Sequence, residues 1–182
     1  MIGIYNYTVI LTYLSTISGF TGIIFILNNN INYALICLII SGICDAFDGK
    51  LANTKKRNKK EKRFGIQIDS LSDLICFGLL PALIVIAYHH NIFSYICGSI
   101  YVLCALIRLA WFNVDEEIRQ DQEKGNRRFY LGLPVTVSSA IIPLFVIILN
   151  HNQTIYQYRL SIILLIISIL FITPIKFKKI HI

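Results

Sequence analysis

Asp45 and Asp48 lie three positions apart, and Asp69 and Asp73 lie four apart. On an α-helix either spacing puts both carboxylates on one face, close enough to share a ligand. All four fall inside or at the ends of strongly apolar stretches, whereas Glu61, Asp115, Glu116, Glu117, Asp121 and Glu123 sit in polar connections. An aspartate at the centre of a membrane helix costs about 2.5–3.5 kcal/mol, and less near the interface. Four of them need something that wants negative charge. About a dozen residues separate the two stretches, so the helices are expected to be antiparallel neighbours holding both pairs at one depth. Carboxylates that converge repel one another unless cations lie among them. Hard divalent ions, Mg²⁺ or Mn²⁺, suit this donor set, the more so in combination with a diphosphate.

Small residues are interleaved with the acids. Gly49 follows Asp48, Ala52 lies one turn further on, and Gly65 lies one turn before Asp69. Positions without bulk let a phosphate or nucleotide come close to the helix backbone. Glycines also let membrane helices pack closely. Each glycine alone fits the packing explanation; the interleaving of all three residues with the aspartates favours the ligand.

The elements that must carry these residues are apolar. Hydrophobic residues make up 55% of the 182-residue chain and charged ones 15%, against about 25% charged in an ordinary soluble domain. Runs of roughly 20 apolar residues cross a bilayer as helices. Six are predicted, at 5–27, 33–52, 65–88, 93–113, 131–149 and 159–175, giving an all-α integral membrane protein with one domain over 1–182. Loop 53–64 holds seven Lys/Arg against one Glu, and Lys176, Lys178 and Lys179 follow the last span. The connections near 28–32, 89–92 and 150–158 carry neither Lys nor Arg. The positive-inside rule therefore places both termini, both charged loops and the aspartates at the cytoplasmic face of a multi-pass cell-membrane protein. The net charge of +7 then reflects topology and contact with anionic lipid headgroups. Nucleic acid is not an expected partner, since one short basic loop beside a bilayer serves as an anchor. Met1 to Tyr7 lacks the basic start and cleavage site of a removable signal peptide. Cys37, Cys44, Cys76, Cys97 and Cys104 lie in apolar runs without a CxxC pair and read as small buried hydrophobes.

Asp45-x-x-Asp48-Gly49-x-x-Ala52, followed by Gly65-x-x-x-Asp69-x-x-x-Asp73, resembles the signature of the CDP-alcohol phosphatidyltransferase family. The resemblance extends to six spans with the motif straddling the second and third. It implies that Asp45, Asp48 and Asp69 bind metal, and that Asp73 is the general base and a further metal ligand. It implies a CDP-activated lipid held beside Gly49, Ala52, Asn53 and Gly65, with a homodimer as the usual assembly. Two departures stand out. The family's arginine is replaced by Asn53, and eleven residues rather than eight separate Asn53 from Gly65. Lys50, Lys55, Lys56 and Arg57 are the candidates to supply the missing cation. The longer spacer falls in the basic loop, where added length costs little.

Arg108-Leu109-Ala110-Trp111-Phe112-Asn113 and Leu131-Gly132-Leu133-Pro134 are similar to segments of the phosphatidylserine synthase branch of that family, with Trp111 where the branch carries arginine. Serine, with a carboxylate and an ammonium, needs a cation and polar acceptors, and Arg108 and Asn113 are the candidates. Arg108 equally suits snorkelling to headgroups or pairing with a motif aspartate, and Pro134 suits the first turn of a helix. Glycerol 3-phosphate and inositol phosphate are the alternative acceptors, with Arg127 and Arg128 available for their phosphate. A cation-coupled transporter also uses intramembrane acids, but such acids are usually scattered near the midplane on broken helices. His89, His90, His151 and His181 fall on the opposite loops or the tail and have no part in the expected chemistry.

Overall fold

A computed structural model describes residues 3–52, 54–55, 57–122, 129–149 and 153–178. A short 3₁₀ turn, Tyr7–Val9, leads into α1 (Ile10–Leu27), which is followed by α2 (Ile31–Ala52). Next come α3 (Lys59–Asp73), a π-helical turn over Leu74–Leu79, and α4 (Leu80–Tyr88), forming one continuous rod. The chain continues with α5 (Ile92–Gln122), strand β1 (Phe129–Leu131), a 3₁₀ turn at Val135–Val137, α6 (Ser138–Leu149), α7 (Gln153–Ile172) and strand β2 (Lys176–Lys178).

Among the described residues, four helical stretches are long and apolar enough to cross a membrane: Tyr7–Leu27, Ile31–Ala52, Lys59–Tyr88 and Ile92–Ile118. Two shorter apolar helices cover Val135–Ile148 and Tyr158–Ile172. Outward-facing side chains are mostly apolar, with Ile17 and Ile169 each 62% exposed, while most serines and cysteines are turned inward. Ser41, Ser94, Ser138 and Ser161 are fully buried. That inversion suits a lipid solvent, in which buried hydroxyls serve as interhelical donors.

Local chemistry explains the turns. Asn29 adopts φ 59° after α1, and the Asn30 and Asn29 amides donate to Phe25 and Ile26 carbonyls at 2.8 and 2.9 Å. This is a Schellman ending, which tolerates asparagine in the left-handed position. At the start of α3 the Asn58 side chain accepts from the Glu61 amide at 2.8 Å, and the Asn58 amide donates to Glu61 Oε2 at 2.9 Å, a reciprocal capping box.

The rod α3–α4 is not a uniform helix. Pro81, in the first turn of α4, has no N–H to donate to the carbonyl of Phe77 four residues earlier. The ladder shifts to five-residue spacing, with the Leu80 amide donating to Ile75. The Phe77 carbonyl accepts instead from the Tyr101 hydroxyl at 2.8 Å and the Ser138 hydroxyl at 3.2 Å. Three elements are thereby fastened one turn beyond Asp73.

Several predicted limits are corrected. α5 runs on to Gln122, past the predicted end at 113, because Asp115–Gln122 contains good helix formers; Arg63 Nε lies 3.5 Å from Glu117 Oε1 on this extension. Residues 131–134 are not helical: Leu131 pairs with Lys176 in the two-stranded antiparallel β1–β2 ribbon, and Gly132 takes φ 77°. Pro134 is extended at ψ 135°, immediately before the 3₁₀ turn. α7 begins at Gln153 and stops at Ile172, two residues before Pro174, whose ring disfavours a helical preceding residue. The helical class stands, with one short ribbon added.

Candidate functional site

α1 supplies the frame. Thr12 lies beside Asp48 and Ser72, Ser15 beside Ser41 and Cys76, and Gly22 beside Cys37 and Leu80. Ascending α1 therefore means descending α2 and ascending α3–α4, so the two acid-bearing helices run antiparallel, as the sequence predicts. The approach is close because Gly19 has no side chain: a β-carbon there would lie 2.6 Å from Cys76 Sγ. Ser15 and Ser41 exchange hydroxyl-to-carbonyl bonds of 3.3 and 3.1 Å across the α1–α2 contact.

α2 packs against α4 and the π-helical turn but scarcely against α3. The helices thus diverge toward the end that carries the acids, leaving a cleft bridged by side chains. Asp45, Asp48 and Asp69 each present a carboxylate oxygen to a common point, with the three oxygens within 4.8 Å of one another. Asp48 faces Asp69 across the cleft, and Asp45 lies near Asp73. Asp73 is the deepest of the four, 8% exposed, while the others are half-buried. Carboxylates this close require a shared proton or a cation between them. The donor set is all oxygen and anionic, which fits a hard divalent ion.

The outer shell is polar. Thr12 Oγ1 donates to Asp48 Oδ2 at 3.4 Å. Thr16 Oγ1 donates to Ser72 Oγ at 2.8 Å, and Ser72 in turn lies 3.4 Å from the Thr12 carbonyl. Thr12 and Ser72 are missing from the motif-based prediction because hydroxyls in a membrane helix look like packing residues until a carboxylate is found opposite them.

The glycines differ. The space a Gly49 side chain would fill is empty to 4 Å, leaving the backbone open to a ligand. Gly65 is occupied: a β-carbon there would lie 3.0 Å from Nη1 of Arg57. Ala52 is half-buried at the end of α2. Asn53, Lys56, Arg127, Arg128, His151 and His181 lie outside the described residues.

Arg108 is half-buried on α5, its guanidinium 5.3 Å from the Phe112 ring centre, and its charge acts on Asp45 and Asp73. It also lines a cavity of about 320 Å³ with Trp111, Gly132, Phe171 and Thr173. Asn113 is engaged elsewhere. Its carbonyl oxygen accepts from Ser70 Oγ at 2.6 Å, and its amide donates to Gln67 Oε1 at 3.2 Å. Asn113 thus ties α5 to the face of α3 next to Asp69.

A family model described as CDP-alcohol phosphatidyltransferase matches residues 5–173. The chain is 27% identical over 173 residues to an archaetidylserine synthase of Methanothermobacter thermautotrophicus, covering 94% of this chain and 69% of that protein. It is 29% identical over 168 residues to a CDP-diacylglycerol–serine O-phosphatidyltransferase of Methanocaldococcus jannaschii, covering 92% and 72%. A Saccharomyces cerevisiae protein of the same name is 36% identical over 107 residues, covering 57% of this chain and 38% of its own length.

Proposed function

The chain belongs to the CDP-alcohol phosphatidyltransferase family, and from that premise we propose that it transfers a phosphatidyl or archaetidyl group from a CDP-activated lipid to the hydroxyl of L-serine, releasing CMP. The observation that carries this reading is the convergence of Asp45, Asp48 and Asp69 on one point, with Asp73 buried beside them. The names of the similar proteins, which specify serine as acceptor, support the choice of alcohol.

Asp45, Asp48 and Asp69 would hold Mg²⁺ or Mn²⁺, with Asp73 able to reach a second ion. A divalent ion held by these residues would supply positive charge to the diphosphate and to the departing CMP. Gly49, Ala52 and Gly65 are assigned to the approach of the CDP group, and Asn53, outside the described residues, is assigned with them from the family resemblance alone. Asp73 takes the proton from the serine hydroxyl as that oxygen attacks the β-phosphorus and the bond to CMP breaks. A carboxylate is a weak base for an alcohol in water, so its burial, which excludes solvent and fixes its position, is part of its competence. Arg108, close to Asp45 and Asp73 and bordering a cavity, receives the serine carboxylate, with Asn113 on the same side. Six spans in a single domain are supported by the four long apolar helices and the two shorter ones, cytoplasmic termini and site by the basic loop and tail, and a homodimer by the family resemblance alone.

The test is to incubate purified protein with CDP-diacylglycerol and Mn²⁺ or Mg²⁺ and follow CMP release. Serine-dependent release is expected. Release with glycerol 3-phosphate or inositol phosphate instead would move the acceptor, and no release with any alcohol would reopen transport.

A further inference from the structure

The cleft holds four carboxylates, and its proposed substrate adds a diphosphate, so a cation at the rim would ease two anionic groups. Three of the four basic side chains in question are described. Lys50 is exposed, its Nζ 5.6 Å from the Phe47 ring centre. Lys55 is held by Glu61 at 3.0 Å. Arg57 is different: its half-buried guanidinium leans across Gly65, with Nη1 3.0 Å from where a β-carbon would stand. Its charge acts on Asp48. Among the described residues, no hydrogen bond or ion pair engages it, so its donors remain available.

We infer that Arg57 binds the diphosphate of the CDP-activated lipid, and that residue 65 is glycine in part because the guanidinium needs that space. The inference rests on the function proposed above and adds a binding residue outside the motif, reached from the longer basic loop. A guanidinium offers two parallel donors to phosphate oxygens, which a lysine cannot match in geometry. Asn53 cannot supply that charge, and the loop brings one in from four residues further along.

The experiment measures CDP binding by calorimetry in the presence of Mn²⁺ on detergent-purified full-length protein, together with KM for CDP-diacylglycerol and for serine. Arg57→Ala is expected to weaken CDP binding about tenfold or more, the loss of one charge-assisted contact. KM for CDP-diacylglycerol should rise in parallel while KM for serine and the melting temperature stay unchanged. Arg57→Lys should fall between the two, and Lys55→Ala should bind CDP as the parent does. Unchanged CDP binding in Arg57→Ala, or an equal loss in Lys55→Ala, overturns the inference. A parent protein that releases no CMP defeats the functional proposal instead, and the calorimetry still reads Arg57 separately.

Discussion

The Tyr101 hydroxyl on α5 donates to the Phe77 carbonyl, 2.8 Å away, one turn beyond Asp73. The Ser138 hydroxyl lies 3.2 Å from the same oxygen and 2.7 Å from the Val135 carbonyl, so it can turn its one proton to Phe77 when Tyr101 is lost. Tyr101→Phe or Ser138→Ala should each cost about 0.5–1.5 kcal/mol, and the double variant more than their sum because a buried carbonyl is then orphaned. Thermal melting of the three variants checks this; additive losses would mean that the two hydroxyls do not share an acceptor.

Asp73→Asn preserves the shape of the side chain and removes its basicity. CMP release should fall by about 10²–10⁴-fold, the usual contribution of a general base, while CDP binding remains. Turnover near the parent rate would show that another group takes the proton.

Chelation should stop CMP release, and added Mn²⁺ should restore it. Mn²⁺ should also raise the melting temperature of the parent, since a ligand that binds only the folded state stabilises it, but not that of Asp48→Asn. Thr12→Val removes the hydroxyl that donates to Asp48 and should weaken Mn²⁺ binding about 10–100-fold, as for partners that orient a metal ligand. A Thr12→Val protein with parental Mn²⁺ affinity would reduce Thr12 to packing.

Arg108 and Asn113 should separate kinetically. Arg108→Ala is expected to raise KM for serine with little effect on melting. Asn113→Ala also loses bonds to Ser70 and Gln67, so it should lower the melting temperature and kcat along with its smaller effect on KM. Steady-state kinetics with serine and CDP-diacylglycerol varied in turn will distinguish the two patterns.

Gly132 combines φ 77° with a backbone oxygen, that of Phe171, 2.5 Å from any β-carbon. Gly132→Ala should therefore destabilise by about 1–3 kcal/mol, visible as a lower melting temperature. The turn fastens the start of the α6 region to the end of α7 through the Gly132 and Leu133 amides, which donate to Ile175 and Leu170. A parental melting temperature would mean that the turn readjusts freely.

Much of the fold was legible because apolar length is a strong signal. The first four predicted spans correspond to α1, α2, α3–α4 and α5, with their limits moved by a few residues at the tight turns and by more where α5 runs on into polar sequence. The last two were blurred by Gly132 and Pro174, at which the chain forms a turn and a ribbon strand while staying apolar. Hydropathy measures solvent preference and does not register backbone geometry.

Of the site, the spacing of Asp45, Asp48, Asp69 and Asp73 was determined by sequence alone, because helical periodicity fixes which side chains share a face whatever surrounds the helix. How the carboxylates converge was decided only by the tertiary structure: Asp45, Asp48 and Asp69 gather their oxygens together, with Asp73 buried deepest. So were the hydroxyl of Thr12, the Ser70 and Gln67 bonds that occupy Asn113, and the guanidinium of Arg57 above Gly65. These contacts join residues 36 to 46 positions apart in the hydrogen-bonded cases, and their existence depends on where α1 and α5 pack against α2 and α3 and on the angle between those two helices. Local periodicity carries no information about that angle; the packing of α1, α4 and α5 around the two helices sets it.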